Sequence, residues 1–202
     1  MQEFLPLTPR YPGGAQSHAY YEDFLTNQEI DKLLSHTSWL NSTSAEIGMS
    51  GTQGVVDPTI RKSNCAWLGC DSTTEFFWQK ISRVIAEINR QYFHYDLTGL
   101  YEPAQLTTYA GSGQEHYSCH SDCGPNSNSV PRKLSMSLLL SDVREFKGGD
   151  LQLFTDSLKP ITLEQKRGRA WFFPSYTLHQ VTPVVSGVRK SVVLWIGGPA
   201  FK

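Results

Sequence analysis

The chain has 202 residues, of which 39% are hydrophobic and 18% charged, with a formal net charge of −1. That balance suits one packed domain, and near-neutrality removes any electrostatic case for nucleic acid or an anionic membrane surface. No apolar run is long enough to span a bilayer. The opening MQEFLPLTPRYPGG lacks the basic and apolar regions of a signal peptide. Four cysteines are too few for a disulfide framework. A soluble, cytoplasmic protein with reduced thiols is the expectation. Aromatic residues at 12% fit a β-rich core or an aromatic-lined pocket.

Two helices are expected in the first half. Thr26-x-x-Glu29 is a capping box, followed by Ile30, Leu33 and Leu34 on one face. A second capping box, Ser72-x-x-Glu75, precedes Phe77, Ile81, Val84, Ile85, Ile88 and Tyr92 at helical period. Residues 41–60, rich in Ser, Thr and Gly, read as a loop. Beyond residue 100 the pattern changes to short β-prone runs: Gln105–Tyr109, Leu134–Leu140, Leu151–Phe154, Pro160–Glu164, Ala170–Phe173 and Ser191–Ile196. Gly111-Ser112-Gly113, Gly148-Gly149 and Ser186-Gly187 punctuate them as turns. Such an arrangement predicts a sandwich or jelly roll. There is no internal repeat and no low-complexity tract.

The chemistry concentrates in CHSDC, residues 119–123. On a strand, residues two apart share a face, so His120 and Asp122 would project together. An imidazole and a carboxylate are two ligands of the 2-His-1-carboxylate facial triad, diagnostic of non-haem Fe(II) oxygenases. His179, between an apolar run and a Thr-Pro turn, is the candidate third ligand. The alternatives are a satisfied half-buried histidine at His179, or zinc held by Cys119, His120 and Cys123. Cys65 and Cys70 do not supply a second pair at useful spacing. Nothing signals a cysteine of lowered pKa.

Residues 105–196 together resemble the Fe(II)/2-oxoglutarate dioxygenases of the prolyl 4-hydroxylase type, and most of all the small bacterial PKHD-type hydroxylases. The resemblance is carried by Tyr109-Ala-Gly-Ser-Gly, Tyr117-Ser-Cys-His120-Ser-Asp122, Arg132-Lys-Leu-Ser-Met-Ser, Lys147-Gly-Gly-Asp-Leu and Arg167-Gly-Arg-Ala-Trp-Phe-Phe-Pro-Ser. It closes with His179-Gln-Val-Thr-Pro and Arg189. Ile60–Gly69 and the helix after it match more loosely. The resemblance implies a double-stranded β-helix (a cupin-like jelly roll) with flanking helices, mainly β in an α+β class. The expected organisation is one domain over 1–202, helical to about residue 100 and catalytic beyond it.

The resemblance also implies that His120, Asp122 and His179 hold Fe(II). Arg189, ten positions after His179, would bind the distal carboxylate of 2-oxoglutarate as a guanidinium fork, with Trp195 six further on. Lys190 would then face outward. Tyr109 matches a family tyrosine that reaches the same carboxylate; a structural strand tyrosine is the alternative. Tyr117 and Arg132 fall on the substrate side, with a core aromatic as the alternative for Tyr117. Ser135 and Ser137 share a face and could line the co-substrate pocket, or could point outward. The family often has a tyrosine near Leu139, and this chain does not.

The implied activity is hydroxylation with release of succinate and CO2, using Fe(II), 2-oxoglutarate and O2, with ascorbate a further candidate cofactor. An aspartate at 122 argues for hydroxylation, since related halogenases carry a small residue there. The substrate is expected to be a prolyl or other amino-acid side chain in a peptide or protein. A free amino acid or small metabolite is the alternative, and a non-catalytic cupin-like binding module is the alternative of another class. Nucleic acid and membrane partners are not expected. Gly124–Arg132 reads as a polar lid over the iron, and Cys119 and Cys123 as packing or incidental residues.

Overall fold

The computed structural model describes residues 15–47, 54–123, 130–156 and 159–200. In chain order the elements are β1 (Ala19–Tyr21), α1 (Asn27–Leu34), β2 (Thr43–Ser44), β3 (Arg61–Lys62), β4 (Asn64–Leu68) and α2 (Glu75–Ile88). They continue with β5 (Ala104–Ala110), β6 (His116–His120), β7 (Arg132–Leu139), β8 (Phe146–Gly148), β9 (Leu151–Phe154), β10 (Ile161–Thr162), β11 (Ala170–Pro174), β12 (Leu178–Val181) and β13 (Val184–Gly197). One sheet has eight strands, ordered β1-β11-β7-β13-β5-β4-β2 with β8 pairing β13. The other has five, ordered β10-β9-β12-β6-β3. Each strand pairs antiparallel with its neighbours, and from β5 onward the chain passes repeatedly from one sheet to the other, which is the jelly roll anticipated from the turn-punctuated second half. No helix among the described residues is long and apolar enough to cross a membrane.

α1 begins as its sequence demands. The Thr26 hydroxyl accepts from the Glu29 N–H at 3.2 Å, and Glu29 Oε2 accepts from the Thr26 N–H at 2.7 Å. α2 departs from its predicted start. Ser72 does not cap it; the N-cap is Thr74, and Asp71 Oδ1 accepts from the Thr73 and Thr74 N–H groups. Aspartate competes well for such turn N–H groups, and it displaces the cap by two positions. Phe77, Ile81, Val84, Ile85 and Ile88 form the buried face, as their spacing predicts. Tyr92 lies past the helix, in a π-turn over Asn89–Phe93.

The helices cover one face of the large sheet. Leu134, Met136 and Leu138 of β7, Val192, Leu194 and Ile196 of β13, and Ala66 and Leu68 of β4 pack with them in one core. The intervening residues therefore point the other way, into the space between the sheets. That inner face carries polar groups: Ser135 and Ser137, Arg189 and Ser191, Gln105 and Tyr109. A strand buried on both faces needs no polar side chain unless the interior holds something polar.

The first hundred residues are less purely helical than their pattern suggests. They give β1, β2 and β4 to the large sheet and β3 to the small one. The stretch 41–60 is mostly irregular, as expected, apart from β2 and an Ile47–Val55 bridge.

Candidate metal centre and cavity

His120 ends β6 and His179 lies on β12, and the two are direct cross-strand partners. Their ring centroids are 4.2 Å apart. Asp122 is not on the strand. It lies in a bend after β6, and the predicted same-face alternation is not what delivers it. Instead its N–H donates to the Ser175 carbonyl at 2.9 Å, tying the bend to the turn after β11. Ser135 Oγ then donates to Asp122 Oδ2 at 2.7 Å, and Ser175 Oγ sits 2.9 Å from Ser135 Oγ. Ser135 thus orients the carboxylate and is not part of the cavity lining, whereas Ser137 is.

One ligand atom from each of His120, Asp122 and His179 lies within 4.8 Å of the other two. Nε2 of His120 is 3.8 Å from Asp122 Oδ1, and Nε2 of His179 is 3.5 Å from Oδ2. The Nδ1 atoms face backbone carbonyls, Ser118 O at 2.8 Å and Thr177 O at 2.9 Å. Carbonyls only accept, so each Nδ1 carries the proton and each Nε2 presents a lone pair to the centre. Burial, helped by the neighbouring His179, pushes the His120 pKa down to about 4. Burial alone would raise Asp122, but His179, His120 and the Ser135 hydrogen bond hold it below its ordinary value. Neutral imidazoles and an ionised carboxylate are the forms that bind a divalent cation. Cys119 and Cys123 are exposed and belong to no metal-ligating group among the described residues.

The centre opens into a cavity of about 360 Å³. Arg189 and Tyr109 face each other across the β13–β5 pairing and line its depth. Arg189 is 3% exposed; Nη1 donates to Ser191 Oγ at 3.0 Å, and its buried Nε has no partner. Burial lowers the Arg189 pKa, with Tyr109 and Asp150 offsetting part of the effect. Burial drives the Tyr109 phenol up to about 12, so it stays protonated as a donor. Lys190 turns outward, with its ammonium 4.6 Å from the Trp39 ring centroid. Gly148 and Gly149 both have positive φ, +75° and +64°, and a Cβ at Gly149 would come within 2.8 Å of Arg189 Cδ. The expected turn thus also makes room for the arginine.

At the mouth, Arg132 lies 3.7 Å from the Trp195 ring centroid and is clamped by both carboxylate oxygens of Glu102. Tyr117 stacks on the His120 ring, with centroids 3.5 Å apart and planes at 17°. Residues 124–129 of the predicted lid lie outside the described residues. Sequence reasoning passed over Arg61, which is 6% exposed and lines the same cavity. The one local signal was a period-two alternation of Arg61, Ser63, Cys65 and Trp67 with Lys62, Asn64, Ala66 and Leu68, which spans two strands, β3 and β4, of different sheets.

Fold and donor set define a jelly-roll protein with a two-histidine, one-carboxylate site beside a buried guanidinium. Residues 104–197 match the model of the 2OG-Fe(II) oxygenase superfamily. The family's cofactors are Fe(II), 2-oxoglutarate and O2. The donors fit the ion, and an arginine with an orphaned Nε and no carboxylate pair among the described residues fits the co-substrate.

The chain is 36% identical over 100 residues to a PKHD-type hydroxylase of Pseudoalteromonas atlantica, covering 46% of this chain and 42% of that one. It is 39% identical over 91 residues to a PKHD-type hydroxylase of Synechococcus, covering 45% and 40%. It therefore spans about two fifths of the length of these curated relatives. Among solved structures it is similar to a Trichoplax adhaerens prolyl hydroxylase in complex with a hypoxia inducible factor peptide fragment. That match has TM-score 0.72 and 21% identity, covering 90% of this chain and 84% of that one. A Pseudomonas putida prolyl-4-hydroxylase gives 0.68 at 19% identity, covering 91% and 94%. At these identities the likeness is one of fold.

Proposed function

We propose that the protein is an Fe(II)- and 2-oxoglutarate-dependent hydroxylase acting on an amino-acid side chain, most readily a prolyl residue, in a peptide or protein. The observation that carries this reading is one cavity holding His120, Asp122, His179 and a buried, carboxylate-free Arg189. His120, Asp122 and His179 would hold the iron on one side, leaving the other side to ligands from the cavity. The bound iron supplies oxygen activation coupled to decarboxylation of 2-oxoglutarate, so that substrate gains one oxygen atom and succinate and CO2 leave.

The chain's own residues do the positioning. Ser135 holds the Asp122 carboxylate in one orientation, and the Ser118 and Thr177 carbonyls fix both imidazole tautomers. Arg189 and the protonated Tyr109 would take the distal carboxylate of 2-oxoglutarate, and Ser137 leaves space beside it. Arg132, held by Glu102 on the Trp195 face, would present donors to substrate at the mouth. Tyr117 shields the His120 ring on the substrate side.

The peptide reading draws support from the peptide in the Trichoplax relative and from the half-exposed Trp67 on the cavity wall. Incubating the iron-loaded protein with 2-oxoglutarate, O2 and a proline-containing peptide library tests it by mass spectrometry. A gain of one oxygen in a subset of peptides, lost in His179→Ala, is the expected result. Oxidation of free amino acids alone would shift the substrate class.

A further inference from the structure

We infer that Arg61 anchors a carboxylate carried by the primary substrate, so that this substrate is an acid; the inference rests on the hydroxylase reading above. Three guanidiniums line the cavity, those of Arg61, Arg132 and Arg189. Arg132 is paired with Glu102, and Arg189 lies in the depth beside Tyr109, where the co-substrate fits. Arg61 has no such assignment. Its Nε donates to Ser63 Oγ at 3.0 Å and its Nη2 to Cys65 Sγ at 2.9 Å. The partners are a serine and a cysteine side chain, and Cys65 Sγ in turn lies 3.8 Å from the Thr107 hydroxyl.

Among the described residues Arg61 forms no ion pair, although it is 6% exposed. A guanidinium stays charged at any physiological pH, and burying a charge without a counter-charge is costly. The carboxylates lining the cavity are Asp122 and Glu46. Asp122 is committed to the two histidines and Ser135, and Glu46 is exposed with no ion pair to Arg61 among the described residues. Asp122 acts on Arg61 only through its field, so the direct carboxylate partner that the geometry leaves room for is one carried by a ligand. Ser63 and Cys65 fix two nitrogens and hold the planar fork in one orientation, which is the preorganisation that carboxylate recognition needs.

The position suits the primary substrate, and the 2-oxoglutarate affinity of the Arg61→Gln variant separates it from the co-substrate. Arg61 pairs across the sheet with Tyr117, and its Cζ stands 4.5 Å from the Tyr117 ring centroid. That ring stacks on His120. An acid held by Arg61 is thus one aromatic layer from a metal ligand, and Tyr109 feels both Arg61 and Arg189. The carboxylate could belong to a free amino acid or to an acidic residue or C-terminus in a peptide.

The test uses the full chain loaded with Fe(II) and 2-oxoglutarate under nitrogen. Acetate is the probe, and acetamide is its neutral counterpart of the same shape. The arginine Nε–H resonances are followed by 15N NMR. Acetate should shift the Arg61 signal to saturation and acetamide should not. Arg61→Gln should weaken acetate binding at least about tenfold, the scale of one charge-assisted pair, while 2-oxoglutarate affinity is unchanged. Arg61→Lys should restore part of it, which separates lost charge from lost fold.

Equal responses to acetate and acetamide would overturn the inference. So would undiminished acetate binding in Arg61→Gln, or a loss of 2-oxoglutarate affinity there, since that assigns the residue to the co-substrate. Displacement of acetate by L-proline but not L-prolinamide marks a free acid as the source. Displacement by capped Gly-Pro-Asp but not capped Gly-Pro-Asn marks a peptide. Succinate formation by wild type is read separately, so failure of the hydroxylase reading leaves the acetate result legible.

Discussion

Replacing Arg189 with methionine should weaken 2-oxoglutarate binding and at the same time stabilise the empty protein. The side chain is 3% exposed and donates to the Ser191 hydroxyl, and its Nε has no hydrogen-bond partner among the described residues. A charge-assisted hydrogen bond contributes about 1.5–3 kcal/mol, so losing the carboxylate pair should cost about ten- to a hundredfold in affinity. Without the anion, however, the buried cation is offset only in part, by the fields of Tyr109 and Asp150. Exchanging such a group for an apolar one of similar volume is neutral or stabilising by roughly 1–4 kcal/mol. In a chain of 202 residues, each kcal/mol moves Tm by about 2–4 °C. Anaerobic calorimetry of 2-oxoglutarate binding and thermal unfolding of the apoprotein measure the two effects. Unchanged affinity together with a lower Tm would refute the reasoning, because it would make Arg189 a structural residue.

Ser135→Ala removes the donor to Asp122 Oδ2 and should weaken metal binding about ten- to a hundredfold with far-UV circular dichroism unchanged; Mn(II) titration checks it. Gly149→Ala places a Cβ 2.8 Å from Arg189 Cδ at a φ of +64°; calorimetry should show weaker 2-oxoglutarate binding and scanning calorimetry a lower Tm. Thr26→Ala breaks the capping box of α1 and should cost about 1 kcal/mol, seen as a shift of about 2–4 °C in Tm, without effect on metal affinity. Leu106→Ala opens a cavity in the helix-covered core and should cost about 2–5 kcal/mol in denaturant unfolding.

The elements that the sequence made legible are those with strong local signals. The capping box at Thr26 and the apolar period of α2 need only neighbours in the chain, and Leu151–Phe154 reads as a strand from its flanking turns. The two histidines were visible because their surroundings are short strands within a recognisable order. Other parts depend on contacts distant in sequence. Asp122 is delivered by Ser175 and Ser135 from other elements, so alternation along one strand could not account for it. The cap at Ser72 lost to Asp71, a competition between adjacent turn formers that pattern alone does not rank. Arg61 and Cys65 looked like ordinary residues of a loosely matched segment. Their importance follows from strands β3 and β4 turning a polar face into the cavity, which is a tertiary fact.

The central claim is that His120, Asp122 and His179 support oxidative decarboxylation of a 2-oxoglutarate held by Arg189. The most direct measurement is 1H NMR of 2-oxoglutarate and succinate in air-saturated buffer, with Fe(II)-loaded protein and proline-containing peptides present. The account predicts one succinate formed per 2-oxoglutarate consumed, dependent on Fe(II) and abolished in His179→Ala. Tight 2-oxoglutarate binding by iron-loaded wild type with no succinate formed would contradict it, and would mark the chain as a binding module.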